Sequence, residues 1–355
     1  MRPAALLLAP AVFLLAGCAT RSGDPRCPDD PVANSSHAGL DFRPFDGQPK
    51  GRLGSIPCPG PFTFFTTADP NQLGTHAYSG SGETERGIIY TLHGGFIDIA
   101  HVRKAADWTA YHHLRFKLAL SEGWQCLILP SKEGSVYRVK LTYPAAWRTL
   151  PETSRRKAID DLSIRLAQRL AITQTEWHEI ATWFGYSSTT YPEKPSALTY
   201  DDMPSHVLGA NIAGMALRQN PADFNAGMTY YLKRELDRLG AVTPEQTLRA
   251  LGMVEGKWWK NGFVVRRMLD IGEGDGVIEP WIVPGYPDGG TAAAVPFVMP
   301  TLTYTAGIGF RLEIEPHMKA WSLMRRVLPG NPDRCEPEKH FPLLMRYIRQ
   351  QESNP

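Results

Sequence analysis

The sequence has almost no charge imbalance. Its 38 basic and 36 acidic side chains leave a formal net charge of +2 over 355 residues. That excludes the concentrated basic stripe by which proteins grip a nucleic-acid backbone, so no nucleic-acid partner is expected. The densest basic cluster of the first half, Arg155-Arg156-Lys157, sits beside Asp160 and Asp161 and reads as a solvated helix face. Cysteine is also scarce, at five residues, and no Cys-x-x-Cys pair occurs. A zinc ribbon and a thioredoxin-like redox motif are therefore excluded. No Gly-x-Ser-x-Gly elbow is present, which removes the usual signature of a serine lipase. No internal repeat is visible, and the twelve-residue spacing of an EF-hand is missing.

An export signal is present. Met1-Arg2-Pro3 is a short positive start, followed by an apolar run from Ala4 to Ala16 broken only by Pro10. This run is shorter than the roughly 20 residues that span a bilayer, and it fits the core of a secretory signal. It ends in Leu15-Ala16-Gly17-Cys18, which resembles the lipobox of bacterial lipoproteins. Residues 1–17 are thus expected to be a cleaved leader, with Cys18 lipidated. Several acyl chains on one residue satisfy the two-signal requirement for stable anchoring. Ala19 follows instead of Asp, which by resemblance to Gram-negative lipoproteins points to the outer membrane, facing the periplasm. In that oxidising space the remaining cysteines, Cys27, Cys58, Cys126 and Cys335, could form two disulfides. Three pairings are possible, and proximity in sequence favours Cys27 with Cys58.

Residues 18–60 are rich in Pro, Gly, Ser and Asp and read as a tether and irregular segment. Residues 61–355 read as one globular α+β domain, mainly helical in its middle, with a few antiparallel strands. Gly87–Leu92 predicts a buried strand, and a helix is expected from about Ile97 to Leu120. Cys126–Leu129 and Val136–Leu141 predict a strand pair, the second alternating with period two. Leucines and isoleucine at 159, 162, 166 and 170 recur at helical spacing after Glu152. Thr173-Gln174-Thr175-Glu176 has the form of a capping box that would restart a helix ending at Gly185. Further helices are expected over 205–218 and 222–239, and one starting at Pro244. Strands are expected over 295–304 and 309–314, then helices near 316–328 and 340–350.

The chemistry-bearing residues lie in the helical segments. In His93-Gly94-Gly95-Phe96-Ile97-Asp98-Ile99-Ala100-His101, Asp98 and His101 stand at i and i+3 and share a face. Val102, Ala105, Thr109 and His112 share it too, while Arg103, Lys104 and Asp107 are expected to point elsewhere. A carboxylate and an imidazole on a buried face must be paired or bound to metal. Asp98 is equally suited to capping the helix N-terminus. In Trp177-His178-Glu179-Ile180-Ala181-Thr182, the first half matches the zinc-peptidase helix His-Glu-x-x-His. Thr182 occupies the second histidine's position and is a poor zinc ligand. His178 would then need Asp98 and His101 as co-ligands, making three protein ligands for a catalytic zinc, with Glu179 as general base.

Two other groups of residues are weaker. Ser187, Ser188, Ser196, Ser205 and His206 allow a serine nucleophile, but such residues after a helix are mostly turn and cap residues. Asp270–Gly276 has the carboxylate and glycine content of a cation loop and reads more simply as a tight acidic turn.

The segments Gly94–Trp108, His178–Ser188, Lys194-Pro195-Ser196 and Asp270–Pro284 together resemble an uncharacterised family of bacterial lipoproteins, known only as a domain of unknown function. The resemblance covers most of the mature chain. It implies a single domain and an envelope location, and it brings no activity and no site residues. The sequence therefore supports a metal-dependent hydrolase of the cell envelope, with zinc on Asp98, His101 and His178. Its rival is a non-catalytic envelope lipoprotein that binds a lipid, glycan or partner protein through some of its nine Trp and thirteen Tyr. The anchor is testable apart from either. Labelled palmitate should be incorporated into the wild-type protein in a Gram-negative host and not into Cys18→Ala; equal labelling of both would dismiss the lipobox.

Overall fold

The computed structural model describes residues 45–353 except 53, 56–65, 81–85, 132, 189–191, 262, 288–292 and 303–306. The leader, Cys18, Cys27 and Cys58 lie outside the described residues. The chain order begins with β1 (Ile88–Thr91), β2 (Gly95–Asp98), α1 (Ile99–Glu122), β3 (Cys126–Pro130) and β4 (Val136–Thr142). It continues with α2 (Glu152–Trp183), α3 (Asp202–Gln219), α4 (Phe224–Arg238) and α5 (Pro244–Met253). After these come the two-residue strands β5 (Trp259–Lys260), β6 (Phe263–Val264), β7 (Val277–Ile278) and β8 (Phe297–Val298). The chain ends with β9 (Gly309–Glu315), α6 (Trp321–Met324) and α7 (Pro337–Ser353). This is the expected α+β class: a helical centre edged by small antiparallel sheets.

The centre is α1, α2 and α3 packed on one another, with α4 against α3. α1 carries no continuous charged face. Arg103 and Asp107, expected to point away from the Asp98–His101 face, are fully buried. Asp107 is held by Arg52 at 2.9 Å and His76 at 3.1 Å, and Arg103 donates to the Leu73 carbonyl. The covering chain comes from residues read as tether. Phe45, Arg52 and Ser55 are buried, so the packed domain begins well before residue 61. Sequence periodicity could not reveal this, because it registers a helix's own pattern and not what lies over it.

β1 and β2 form a hairpin, with Ile88 opposite Asp98 and Thr91 opposite Gly95. The Gly94-Gly95 pair serves this turn. Gly95 has φ +68°, and a Cβ there would meet the Trp281 carbonyl at 2.7 Å. The helix expected from Ile97 accordingly starts two residues later, since Ile97 and Asp98 are still paired strand residues. β3–β4 pair as expected, and β9 adds to β4, with Val136 opposite Glu315.

α2 runs unbroken for 32 residues, through the expected restart at Thr173. Thr175 donates back to the Ile172 carbonyl, as a hydroxyl inside a helix does. With neither Pro nor Gly between Ile172 and Trp177, extending the existing helix is easier than nucleating a new one. A working capping box does occur at Thr243 and Gln246, with Pro244 at the first position of α5. Of the strand expected over 295–304, Phe297–Val298 is paired; the helix expected over 316–328 shrinks to Trp321–Met324 and one 3-10 turn. Cys335 is a buried free thiol and Cys126 is disulfide-bonded, so the four-cysteine, two-bridge arrangement does not form. No helix among the described residues is long and apolar enough to cross a membrane.

One close approach positions everything that follows. A Cβ on Gly209 of α3 would stand 2.1 Å from the Val102 carbonyl oxygen of α1. The two backbones touch there, one residue after His101 and three after His206.

Candidate metal centre

β2 ends and α1 begins at Asp98. Its backbone is extended (φ −90°, ψ 115°), and its Oδ1 accepts from the Ala100 amide at 2.8 Å, so it caps α1. The same carboxylate is tied from the opposite side. Oδ2 accepts from the Ser55 amide at 2.7 Å, and Oδ1 from the Ser55 hydroxyl at 2.9 Å. Its amide donates to the Ser205 hydroxyl of α3 at 2.8 Å, which links the two helix starts. Three residues on, His101 turns its Nδ1 back over the cap, 3.5 Å from Asp98 Oδ2.

α3 brings two carboxylates to the same atom. His101 Nδ1 lies 3.8 Å from Asp201 Oδ2 and 3.3 Å from Asp202 Oδ1. The outer oxygens of both are occupied. Asp201 Oδ1 accepts from the Thr199 hydroxyl at 2.7 Å, and Asp202 Oδ2 from the Thr199 amide at 2.6 Å. The inner oxygen of Asp201 is bare: Asp201 Oδ2 and His101 Nδ1 are both buried with no hydrogen-bond partner. One turn into α3, the His206 ring stands over that of His101, with centroids 4.8 Å apart. Gly209 makes this possible by letting the helices meet.

α2 closes the far side with Glu179. Its Oε2 accepts from the Leu198 amide at 2.9 Å, and its Oε1 faces His206 Nε2 at 3.8 Å. Leu198 is buried in a left-handed conformation (φ 57°) that non-glycine residues rarely adopt. This turn aims two successive amides, of Leu198 and Thr199, at Glu179 and Asp202. Such local strain persists where surroundings enforce it, and it is typical of functional sites.

The electrostatics follow from burial. Desolvation pushes the Asp201 carboxyl up to about 8, reinforced by the charge of Asp98. Burial and the neighbouring Glu179 and Asp201 push Asp202 well above the carboxylate range. Burial holds His101 down to about 4, partly opposed by Asp98, and lowers His206 also. Burial thus favours the neutral form of both rings, the form that serves as a ligand. The positive ends of α1 and α3 favour acids at their first turns, but each supplies only about half a charge. Among the described residues, the ion-pair partners of Asp98, Asp201, Asp202 and Glu179 are histidines, with no Lys or Arg.

Asp98, His101 and Asp201 each offer one ligand atom within 4.8 Å of the others, and this buried group could hold a metal ion. Two of the three ligands expected from sequence, Asp98 and His101, are brought together. The third, His178, is not in that group; its Nδ1 faces Glu133 at 3.2 Å, towards the β3–β4 connection. The physical reason is helical. His178 and its neighbour Glu179 point about 100° apart on α2, so only one of them can face α3. From the sequence, Asp201 and Asp202 have no role and His206 figures only beside Ser205, although Asp202 and His206 stand at i and i+4. The Asp270–Gly276 segment is an acidic turn: Gly272 and Val277 amides bond to Asp270 and Asp275, and Glu273 pairs with Arg349.

Residues 45–268 match a family described as protein of unknown function (DUF4056). The chain belongs to this family. All the site residues, from Ser55 to His206, fall inside the DUF4056 match, whereas the Asp270 turn and Cys335 fall outside it. The family match begins at Phe45, where the packed structure also begins to be described. No curated protein and no solved structure matches the chain.

Ser55 is the outermost support of the DUF4056 site. Its hydroxyl donates to Asp98 and accepts from the buried Gly87 amide at 2.8 Å. Ser55→Ala should therefore cost about 1–3 kcal/mol in urea unfolding, because an amide is left unpaired. A change under a few tenths of a kcal/mol would show that water replaces the hydroxyl there.

Proposed function

We propose that this protein is a metal-dependent hydrolase of the bacterial cell envelope, with a divalent ion on Asp98, His101 and Asp201. The observation that carries the reading is the bare inner face of the group: an unpaired Asp201 oxygen and an unpaired His101 nitrogen, both buried and facing each other. A buried unpaired polar atom costs roughly 1–3 kcal/mol, more for a charged one, and a cation removes the cost at both atoms at once. One imidazole with two carboxylates is a mixed donor set. It suits zinc, iron or manganese better than calcium or magnesium, and zinc is the reading retained here.

When bound, such an ion polarises water and a carbonyl or phosphoryl oxygen, the chemistry of ester, amide and phosphodiester hydrolysis. The chain's own part is orientation. Ser55 and the Ala100 amide fix the Asp98 carboxylate, Thr199 fixes Asp201 and Asp202, and helix packing fixes His101. Glu179 is given no proton-accepting role, because its oxygens are turned to the Leu198 amide and His206 rather than to the group. The envelope location rests on the lipobox at Cys18 and on no feature of the fold.

Burial favours a second reading. Asp98 and Asp201 are fully buried and the His101 side chain is only 17% exposed, and closed sites are typical of structural ions. The protein would then be a non-catalytic envelope lipoprotein whose ion secures the α1–α3 junction. The test begins with the purified full-length protein, stripped with chelator, reloaded with zinc and desalted, and its metal counted by elemental mass spectrometry. At least one equivalent is expected, lost in a folded Asp98→Asn, His101→Ala variant. Loaded protein is then screened on ester, peptide and phosphodiester substrates. Chelator-sensitive turnover supports the hydrolase; metal without turnover across the panel supports the structural reading. Absence of metal after loading rejects both.

A further inference from the structure

We infer that the site is built for two metal ions, the second held by Glu179 and His206 with Asp202 shared between the pair. The inference rests on the metal-binding reading above and extends it. It starts from His206. This ring is completely buried, yet neither of its nitrogens has a hydrogen-bond partner. A neutral imidazole carries one donor and one acceptor, and leaving both unmet inside a protein is costly. Its Nε2 points at Glu179 Oε1 across 3.8 Å. That is too long for a hydrogen bond, and it leaves room for an ion. Two ligands about 2.0–2.1 Å from one metal stand roughly 3–3.5 Å apart, so a small inward shift closes the pair on an ion.

The acids make the same demand. Glu179 lies close enough for its charge to push the Asp202 carboxyl up, and a cation between two such carboxylates relieves that repulsion. Asp202 stands at the junction. Its Oδ1 is 3.3 Å from His101 Nδ1, and the next turn of the same helix carries His206. The His101 and His206 rings, 4.8 Å apart, mark the two halves. Paired ions in hydrolytic centres sit about 3.5–4 Å apart, a separation this spacing can accommodate.

Charge accommodates a second ion. Four carboxylates, of Asp98, Asp201, Asp202 and Glu179, surround two imidazoles. With all four ionised as ligands they carry four negative charges, which two divalent cations balance. Both ions would then be held by α1, α2 and α3 together, with Glu179 as the ligand from α2. A paired centre narrows the substrate class to phosphoesters or peptides, where two ions clamp the attacking and leaving atoms.

The experiment is metal counting on the full-length protein, loaded with zinc or with manganese and desalted. Wild type should retain two equivalents. Glu179→Gln keeps an acceptor for the Leu198 amide and should retain one, as should His206→Gln, each with an unchanged circular dichroism spectrum. In the manganese form, the spin-coupled resonance signal of a pair should collapse to that of an isolated ion in Glu179→Gln. One equivalent in wild type would overturn the second ion and leave the first standing, and none would overturn both. Two equivalents surviving in Glu179→Gln would overturn the ligand assignment. If His206→Gln fails to fold, the wild-type count and Glu179→Gln still decide.

Discussion

Four acids buried without a Lys or Arg partner among the described residues are the constraint around which this fold is arranged. Each of Asp98, Asp201, Asp202 and Glu179 loses its hydration on folding. Isolated ionised groups cannot bear that loss, so they must protonate or find a cation. The surroundings are tuned to hold them regardless. Two helix N-termini, two successive amides at a strained Leu198, and the hydroxyls of Ser55 and Thr199 all point at them. These contacts satisfy the outer oxygens and leave the inner ones facing His101 and His206. The arrangement has the logic of an ion cage, in which outer contacts orient ligands and inner lone pairs stay free.

The helical centre exists to deliver those groups. α1 contributes its first turn, α3 its first two turns, and α2 a single residue near its end. Gly209 sets the spacing: any side chain there would drive α3 off the Val102 carbonyl and separate His101 from His206. The hairpin β1–β2 sets the direction, because Asp98 is at once its last strand residue and the cap of α1. The covering segment around Phe45, Arg52 and Ser55 then seals α1 from outside, using Asp107 as its anchor.

Part of this is legible in the chain and part is not. The Asp98–His101 couple is local, three residues apart in one helix, so periodicity exposes it. The strand pair 126–141 and the α+β class follow from alternation for the same reason. Asp201, Asp202 and His206 look like an ordinary acidic helix start followed by a polar residue, and their meaning appears only when α3 crosses α1. The His178-Glu179 pair shows the opposite failure. Its likeness to a zinc-peptidase motif singles out the right turn of α2, but helical geometry sends His178 to Glu133 and Glu179 to the cluster. The burial of α1 on all sides was equally hidden, because Arg103 and Asp107 are charged residues satisfied by distant parts of the chain.

The central claim is that positive charge is what this cluster lacks, and urea unfolding of chelator-stripped protein measures that most directly. Zinc at a hundred times its dissociation constant should stabilise the wild type by about 2.7 kcal/mol per ion. Above pH 8, where the buried Asp201 carboxyl carries its charge, Asp201→Asn should be at least as stable as stripped wild type and gain less from zinc. An unfolding midpoint indifferent to every divalent ion tested, together with an Asp201→Asn variant weaker than stripped wild type, would contradict the account. The acids would then be serving one another through shared protons, as purely structural contacts.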